Sequence, residues 1–307
     1  MQSSPNQDRG MPRSYNENRY WGLFLISPWL IGLIIFKLIP ILTSLGLSFT
    51  DFYLLEPKNY QFVGIDNYLS VMKDPNSGFV LLQTMALALV IIPVQAGSAI
   101  FLATLLSNRR LRMSNTLRSL FFIPSILPVL STTFMWQGFV NPSTGWLNRM
   151  LLNPLGLGGL NHLYTRGGGL SLFILTSFWA IGPGFLIMLG AMQAIPPEIH
   201  EAARIDGAGR LRHFFSITLP LISPATFFTI ILNLTSVLGG VVLLDRGNNF
   251  NNVLSSYDAY VNYTLFSLFR LGQASSAAWI FFLFAMLIVL TLFATSKYWV
   301  YFPDREY

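Results

Sequence analysis

The sequence predicts an all-α polytopic membrane protein with about six transmembrane helices. Of its 307 residues, 53% are hydrophobic and only 10% are charged, and its mean hydropathy of +0.53 is far above that of a water-soluble domain. A chain of this length holds roughly six spans of about twenty residues with their loops, without a further large soluble domain. We therefore expect one membrane domain at 21–298, between polar tails at 1–20 and 299–307.

Apolar runs long enough to cross a bilayer as helices recur along the chain. The first follows a polar tail with three arginines. It is too long for a signal-peptide core and no small-residue cleavage site follows it, so we expect an uncleaved helix. Prolines inside the runs, among them Pro40, Pro93, Pro124, Pro128 and Pro183, are expected to bend the helices without ending them. The runs cover residues 21–49, 79–106, 120–140, 170–195, 222–244 and 274–298.

The distribution of lysine and arginine predicts the orientation of the chain. The side that holds both tails carries twelve of these residues, whereas the opposite side carries six in longer loops. Because cytoplasmic loops of membrane proteins are enriched in lysine and arginine, we expect both termini in the cytoplasm. The same bias accounts for the net charge of +6, so we expect no nucleic-acid partner.

Several kinds of chemistry are excluded by the residue inventory. The chain has no cysteine, which removes disulfides, thiolate nucleophiles and cysteine metal sites. His162, His200 and His213 are too widely separated in sequence to suggest a metal site. The phosphate-binding P-loop motif requires a lysine directly after a glycine. None of the four lysines follows a glycine. We therefore expect no metal, no bound cofactor and no nucleotide site in this chain, and hence no enzymatic activity of its own.

Acidic residues avoid every predicted span, and none occurs between Asp74 and Glu198. Proton-driven transporters use carboxylates or histidines within the membrane to carry the coupling charge. The acid pattern therefore argues against proton coupling. A sodium site built from carbonyls and hydroxyls is compatible with it, so a gradient-driven transporter that acts alone stays an alternative, as does a scaffold protein without flux.

The segment 196–220, between the fourth and fifth predicted spans, carries the most specific pattern. It begins with two prolines, which suit the first turn of a helix. Glu198 and Glu201 follow, where the helix dipole favours acidic residues. Gly207 can end such a helix. We therefore predict a short cytoplasmic helix over 198–207.

Beyond Gly207, apolar residues recur at helical spacing and predict a second amphipathic helix on the same side, stopped by Pro220. In the first helix, Ala202 and Ala203 are small enough for another surface to approach, and Glu201 offers a carboxylate to a basic partner. Composition alone favours an interfacial helix that lies on the lipid headgroups. The apolar face of the second helix consists of Leu211, Phe214, Phe215, Thr218 and Leu219.

The residue pattern in this segment is more specific than its composition. E-A-A-x-x-D-G-A followed by F-F-S-I-T-L-P resembles the EAA loop, the coupling-loop signature of binding-protein-dependent ABC importer permeases. Segments 62–68, 117–124 and 141–148 are similar to carbohydrate permeases of the maltose and glycerol-3-phosphate type. Residues 245–252 depart from that family, which often has a Gly-Gly-Pro stretch there. The matching loop residues are Glu201, Ala202, Ala203, Asp206, Gly207, Ala208, Phe215, Ile217, Thr218, Leu219 and Pro220.

This resemblance implies the fold of a type I ABC importer permease, in a bacterial or archaeal cytoplasmic membrane. It also implies partners: a second, distinct permease, two ATPase subunits that bind ATP and Mg, an extracellular or periplasmic solute-binding protein, and a sugar substrate. The short helix of the loop would then dock in a groove of an ATPase subunit. The residues expected at this docking site are Glu198, Glu201, Ala202, Ala203, Asp206, Gly207, Ala208, Leu219 and Pro220.

Polar groups in the later spans are candidates for a substrate pathway. Sugars are bound by amides and hydroxyls that pair with sugar hydroxyls, and by aromatic faces, although polar groups also tie membrane helices together. Tryptophans near the span ends, among them Trp136, are expected to anchor the chain at the membrane interface. The candidate pathway residues are Gln137, Ser177, Trp179, Asn233, Thr235 and Ser236.

Overall fold

The computed structural model describes residues 15–107, 113–141, 143–157, 179, 181–238 and 256–301. In these ranges the ordered elements are helices, and extended pairing is limited to two isolated bridges, which confirms the all-α prediction. The α-helices are α1 Tyr15–Leu33, α2 Ile39–Ser48, α3 Asp66–Lys73, α4 Pro75–Leu106, α5 Ser114–Phe122, α6 Val129–Phe139, α7 Gly182–Ala194, α8 Pro197–Ile205, α9 Arg210–His213, α10 Leu219–Leu221, α11 Ser223–Leu238, α12 Tyr257–Phe266 and α13 Leu271–Trp299. Between them lie π-helices at Ile34–Leu38, Asn148–Leu152 and Phe214–Thr218, and a 3-10 helix at Ile123–Ile126.

Three helices in the described part of the chain are long and apolar enough to cross a membrane, namely Phe24–Ser48, Pro75–Leu106 and Leu271–Trp299. They correspond to the first, second and sixth predicted spans. A fourth results if Arg210–Leu221 and Ser223–Leu238, which are bent by 67° at the break between them, form one span.

The other predicted spans are interrupted or only partly described. α7 occupies the second half of the run at 170–195, and nearly all of the first half lies outside the described residues. α11 follows the run at 222–244 as far as Leu238. The run at 120–140 is divided between α5, the 3-10 helix and α6. The described residues therefore account for three or four of the six predicted spans as continuous helices.

Pro124 and Pro128 separate two helices instead of bending one, contrary to the expectation. α5 ends at Phe122, Pro124 lies in the 3-10 helix that follows, and α6 begins directly after Pro128. Proline lacks an N–H donor and its ring clashes with the carbonyl four residues earlier, so two closely spaced prolines interrupt the helix. Pro183 also differs from the expectation, since it lies in the first turn of α7.

Pro40 and Pro93 lie inside long helical segments, as expected. Pro40 comes shortly after the π-helix that follows α1. Pro220 has the same arrangement, shortly after the π-helix at Phe214–Thr218. A π-helix interrupts the regular hydrogen-bond ladder and is a common site of helix bending. Near both prolines the hydrogen-bond pattern therefore changes from π-helical to α-helical, and no loop separates the two helices.

The centre of the fold is formed by α4, which packs most extensively against α7 and α11. Their shared core includes Ala99, Phe185 and Met188. At Gly184 the helices approach closely, because an added Cβ would lie 3.0 Å from Cγ2 of Thr229 and 3.6 Å from Cβ of Ala99. Small residues allow membrane helices to approach in this way and to gain packing energy.

A cap covers the N-terminal end of α4 and consists of α3, α12, the segment 49–65 and the first turn of α13; we call it the α3–α12 cap. Nδ2 of Asn67 donates to the carbonyls of Ser48 and Thr50, at 3.0 and 2.7 Å. The Tyr260 hydroxyl donates to the Asp74 carboxylate at 2.7 Å. These bonds join helices that are far apart in sequence, so the cap is tied together by polar side chains.

The cap also contains a close backbone approach between α13 and the segment that follows α2. A Cβ at Gly272 would overlap the carbonyl oxygen of Thr50, and the Gly272 N–H donates to the carbonyl of Phe52 at 3.1 Å. Phe269 has a φ of 57°, which is uncommon for a residue other than glycine. Its carbonyl accepts a hydrogen bond from the N–H of Leu54 at 2.8 Å. The turn into α13 is therefore fixed from two sides.

Candidate functional site

The short helix predicted at 198–207 is present as α8, Pro197–Ile205. Pro196 caps its N-terminus in an extended conformation, Pro197 occupies the first turn, and Glu198 is the acidic residue of that turn. Proline suits this position because the first N–H groups of a helix have no partner within it. The start of α8 therefore agrees with the sequence-based prediction.

The C-terminus of α8 ends in a Schellman motif. Gly207 has a φ of +73°, its N–H donates to the carbonyl of Arg204 at 3.1 Å, and the N–H of Ala208 donates to the carbonyl of Ala203 at 3.0 Å. These two bonds satisfy carbonyls that would otherwise be unpaired at the helix end. A Cβ at Gly207 would meet nothing within 4 Å. Glycine is therefore required here for its backbone conformation and not for space.

The two faces of α8 differ sharply. Ala203 is buried, with 5% of its surface exposed, and lies against the protein itself. Glu198, Glu201 and Ala202 are exposed, as a docking surface requires. Ile205 is 86% exposed at the end of the helix. Sequence reasoning did not select Ile205, which lies between the charged residues Arg204 and Asp206.

The second segment of the loop does not form the single apolar face that the sequence predicts. Phe214 and Leu219 pack against the core of α4 and α7, whereas Leu211 and Phe215 are 76% and 60% exposed. The π-helix at Phe214–Thr218 holds more residues per turn than an α-helix and brings Leu219 to the buried side with Phe214, whereas Leu211 lies before the π-helix on the same exposed side as Phe215. Residues spaced for an α-helix therefore leave the common face.

The docking residues predicted in this second segment differ in exposure. Leu219 is half-buried against the core, and Pro220 is exposed. The helix was expected to stop at Pro220. Instead, α10 continues to Leu221 and the sharp bend lies at Ile222. α8 and the bent pair thus form a continuous connection from an exposed surface to the core.

Two of the three histidines meet in the loop, although their separation in sequence gave no indication of this. Nδ1 of His200 lies 3.0 Å from Nε2 of His213, and the ring centroids are 4.9 Å apart. Burial, followed by the charges of His213 and Arg204, lowers the pKa of His200. His162 lies outside the described residues. Among the residues that are described, no group of three or more His, Cys, Asp or Glu side chains is arranged to hold a metal ion.

Four of the six candidate pathway residues lie on two different helices. Gln137 lies on α6, next to Trp136, and Asn233, Thr235 and Ser236 lie on α11. The hydroxyl of Thr235 donates to a carbonyl of its own helix at 2.8 Å, so in this structure it does not tie helices together. Ser177 lies outside the described residues.

Trp179 packs against α6 in an aromatic cluster. Its ring is T-shaped to Trp136 at a centroid distance of 5.8 Å, and Trp136 is likewise T-shaped to Phe139 at 5.7 Å. Trp179 is 42% exposed. Nε1 of Trp136 is shielded and finds no hydrogen-bond partner within the described ranges. Trp136, which is expected to anchor the chain at the membrane interface, is half-buried with its ring against Trp179 and Phe139.

The long apolar helices and the loop with one buried and one exposed face define a membrane-embedded subunit that is built to contact a partner. A family model described as "Binding-protein-dependent transport system inner membrane component" matches residues 95–302. The chain belongs to this family. It is therefore an inner membrane component, and a permease subunit of a binding-protein-dependent ABC importer; the alternative of a gradient-driven transporter that acts alone is not favoured.

Individual relatives agree with this assignment. The "Probable ABC transporter permease protein YesP" of Bacillus subtilis is 31% identical over 302 residues, which cover 96% of each chain. The "Arabinooligosaccharides transport system permease protein AraP" of Halalkalibacterium halodurans is 26% identical over 233 residues, covering 76% of this chain and 72% of the relative. A chain in the crystal structure of a bacterial alginate ABC transporter, in complex with an alginate pentasaccharide-bound periplasmic protein, matches with a TM-score of 0.79 and 20% identity. That match covers 93% of this chain and 97% of the other, and it shows the type I importer permease fold.

Proposed function

We propose that this chain forms, together with a second and distinct permease, the translocation pathway for a sugar or oligosaccharide. ATP hydrolysis on two partner ATPase subunits, which hold ATP and Mg, drives the transport, and a solute-binding protein delivers the substrate. The observation that carries this proposal is the EAA loop, folded as an exposed helix in a chain whose relatives include permeases named for arabinooligosaccharides, trehalose and maltose. The chain itself binds no nucleotide.

The exposed face of α8 is the part of the loop that meets the ATPase subunit. Glu201 and Ala202 are exposed on it, and the buried Ala203 lies on the opposite face. A carboxylate beside a small residue suits a groove that contains a basic group, because the backbone can approach closely while the charge is paired. The excess of lysine and arginine on this side supports a cytoplasmic position for the loop and for both termini.

Movement of α8 reaches the membrane helices through a short path. The Schellman motif joins α8 to the next segment, where Phe214 and Leu219 pack against α4 and α7. The helix then continues through the 67° bend into α11. Close-packed cores transmit displacement because they deform little. A shift of α8 on ATP binding would therefore change the packing of α11, which carries three of the candidate pathway residues.

The aromatic cluster of Trp136 and Trp179 supports a carbohydrate substrate. A half-exposed indole offers an apolar face to a sugar ring, and the indole N–H of Trp136 can donate to a hydroxyl when the pathway opens. Asn233 and Ser236 on α11 are the further polar candidates for sugar contact. A polyol or glycerol phosphate would use similar hydrogen bonds, and a relative named for sn-glycerol-3-phosphate transport, UgpA of Yersinia enterocolitica, is 33% identical over 175 residues.

The experiment that tests this function measures ATP hydrolysis by the complex in liposomes. The chain is reconstituted with its second permease and the ATPase, with and without substrate-loaded binding protein. We expect stimulation by a binding protein loaded with an oligosaccharide. A complex that assembles fully and is not stimulated by any loaded binding protein would contradict the proposal. Stimulation with glycerol phosphate alone would correct the substrate class.

Glu201→Lys is the variant that connects this activity to α8. Reversing an exposed charge at the docking face is expected to weaken binding of the ATPase subunit and to abolish stimulation, while the thermal stability of the isolated chain stays unchanged. Arg210→Glu reverses an exposed charge on α9 and is the matched control. Co-purification of the ATPase and its stimulated activity are the measurements. Normal assembly and transport with Glu201→Lys would exclude α8 as the docking helix.

A further inference from the structure

α8 is attached to the rest of the protein at few places. Within Pro197–Ile205, Ala203 is the one fully buried residue. The hydrogen bonds of the Schellman motif lie within the loop itself and fix the end of the helix, not its direction. His200 is half-buried on α8, one turn before the helix ends, and its ring reaches out of the helix to His213.

His213 belongs to a segment that is well anchored. Its Nδ1 lies 3.5 Å from Oγ1 of Thr218, which is buried, and the next residue, Phe214, packs against the core of α4 and α7. Nδ1 of His200 lies 3.0 Å from Nε2 of His213. This contact therefore connects the exposed helix α8 directly to the segment that packs on the core. The path along the backbone between the same two residues passes through the turn at Gly207.

We propose that the hydrogen bond between His200 and His213 is a positioning strut, which holds α8 in the orientation that transmits movement of the ATPase to the membrane helices. The inference rests on the proposed function and assigns both histidines a role in coupling. In this proposal both histidines act through the orientation of α8 and not by contact with substrate or nucleotide, so both are positioning residues.

The chemistry of the pair gives the strut a pH dependence. One N–H between the two facing nitrogens suffices for the bond, whereas a second proton would place two donors opposite each other. Among the described residues, the charged groups that act on His200 are Arg204 on α8 and His213 on α9, and both are basic. Burial and these charges both disfavour a second proton on the pair. The strut is therefore intact at neutral pH and breaks on acidification.

The test measures ATPase stimulation by loaded binding protein from about pH 5.5 to 8 on the cytoplasmic side. The wild-type complex is expected to lose stimulation at the acidic end. His200→Phe and His213→Phe keep a ring of similar size and remove the bond, and each is expected to lower stimulation at neutral pH about five-fold, as the loss of one hydrogen bond would. The double variant His200→Asn/His213→Gln places amide groups near the positions of Nδ1 and Nε2. It is expected to restore neutral-pH stimulation and to remove the acid sensitivity.

Two results would overturn the strut. One is that the phenylalanine variants retain the stimulation and the pH profile of the wild type. The other is that the Asn/Gln double variant is as low as the phenylalanine variants, which would mean that ring shape matters and the hydrogen bond does not.

Hydrogen exchange separates a failure of the strut from a failure of the proposed function. In the isolated chain in lipid nanodiscs, amides 199–208 are expected to exchange faster in the phenylalanine variants than in the wild type or the Asn/Gln variant. Equal protection of α7 in every variant shows that the fold is retained. Equal exchange of the loop in all of them overturns the strut, whereas a wild-type complex that is never stimulated overturns the proposed function alone.

Discussion

The α3–α12 cap and the loop around α8 lie at opposite ends of α4 and are stabilised in different ways. In the cap, side chains such as Asn67 and Tyr260 bond across elements that are far apart in sequence. The loop is shaped mainly by local bonds of the Schellman motif and by one histidine pair, and it leaves apolar residues such as Ile205 exposed. The difference teaches that the two ends hold their segments in place by different means, since both ends leave apolar side chains exposed, among them Phe62 at 78% in the cap and Ile205 at 86% in the loop.

The largest effect is expected from Gly272→Ala in the cap. The new Cβ would overlap the carbonyl oxygen of Thr50, and backbone cannot move aside as a flexible side chain can, so we expect a loss of about 3 kcal/mol of stability. Gly190→Ala is the matched control, because a Cβ there meets nothing within 4 Å and alanine favours the helix by about 1 kcal/mol. Thermal unfolding of the isolated chain in detergent measures both. Equal stabilities would show that the cap is not tightly constrained.

A pair of adjacent phenylalanines divides the loop into its anchored and its exposed part. Phe214 packs against the core and Phe215 is exposed. Phe214→Ala is expected to lower stability by about 2 kcal/mol through the loss of buried apolar contacts, and Phe215→Ala by less than about 0.5 kcal/mol. Phe215→Ala should instead weaken binding of the ATPase subunit. The reverse order of the two stability losses would contradict the assigned register of the π-helix.

Gly207→Val tests whether the loop depends on one backbone conformation. A β-branched residue at a φ of +73° is strained, at a cost of about 1–2 kcal/mol, so α8 should fray at its C-terminus and stimulated ATPase activity should fall. Gly209→Val is the control, because Gly209 has an extended conformation with open space around it. Hydrogen exchange of amides 203–208 is the measurement. If both variants exchange like the wild type, the loop does not require the left-handed residue.

The smallest effect is expected from Tyr260→Phe in the cap, which removes one hydrogen bond to Asp74 and costs about 1 kcal/mol. Burial, followed by the neighbouring Asp74, raises the pKa of Tyr260. The folded state therefore holds this proton more tightly than the unfolded state. The resulting stability is present below about pH 10 and is lost as the pH rises through the pKa of the folded state. Unfolding curves at alkaline pH should show this loss in the wild type and a smaller one in the variant.

The loop shows how far sequence reasoning reaches. The start of α8 and the glycine at its end follow from rules about single positions, and both are present in the structure. The apolar face predicted after Gly207 is wrong, because spacing rules assume a regular α-helix and the π-helix at Phe214–Thr218 changes the register. The contact between His200 and His213 depends on how two helices turn back on each other, which no spacing reveals.

The spans show a similar division. The first, second and last runs form long helices, although the first contains the widely spaced Pro28 and Pro40 and the second contains Pro93. The run at 120–140 is divided, since Pro124 and Pro128 together remove too many backbone bonds for one helix. Whether a single proline bends or ends a helix depends on neighbouring helices that can satisfy the freed groups.

The sequence by itself determined the fold class, the long spans and the position of the loop, because apolar length, proline and glycine act locally through backbone geometry and transfer from water. Only the tertiary structure decided which face of α8 is buried, which phenylalanine is anchored, and that Trp136 meets Trp179 and His200 meets His213. These contacts join residues from different helices. They follow from the packing of the whole chain, in which each helix limits the orientation of the others.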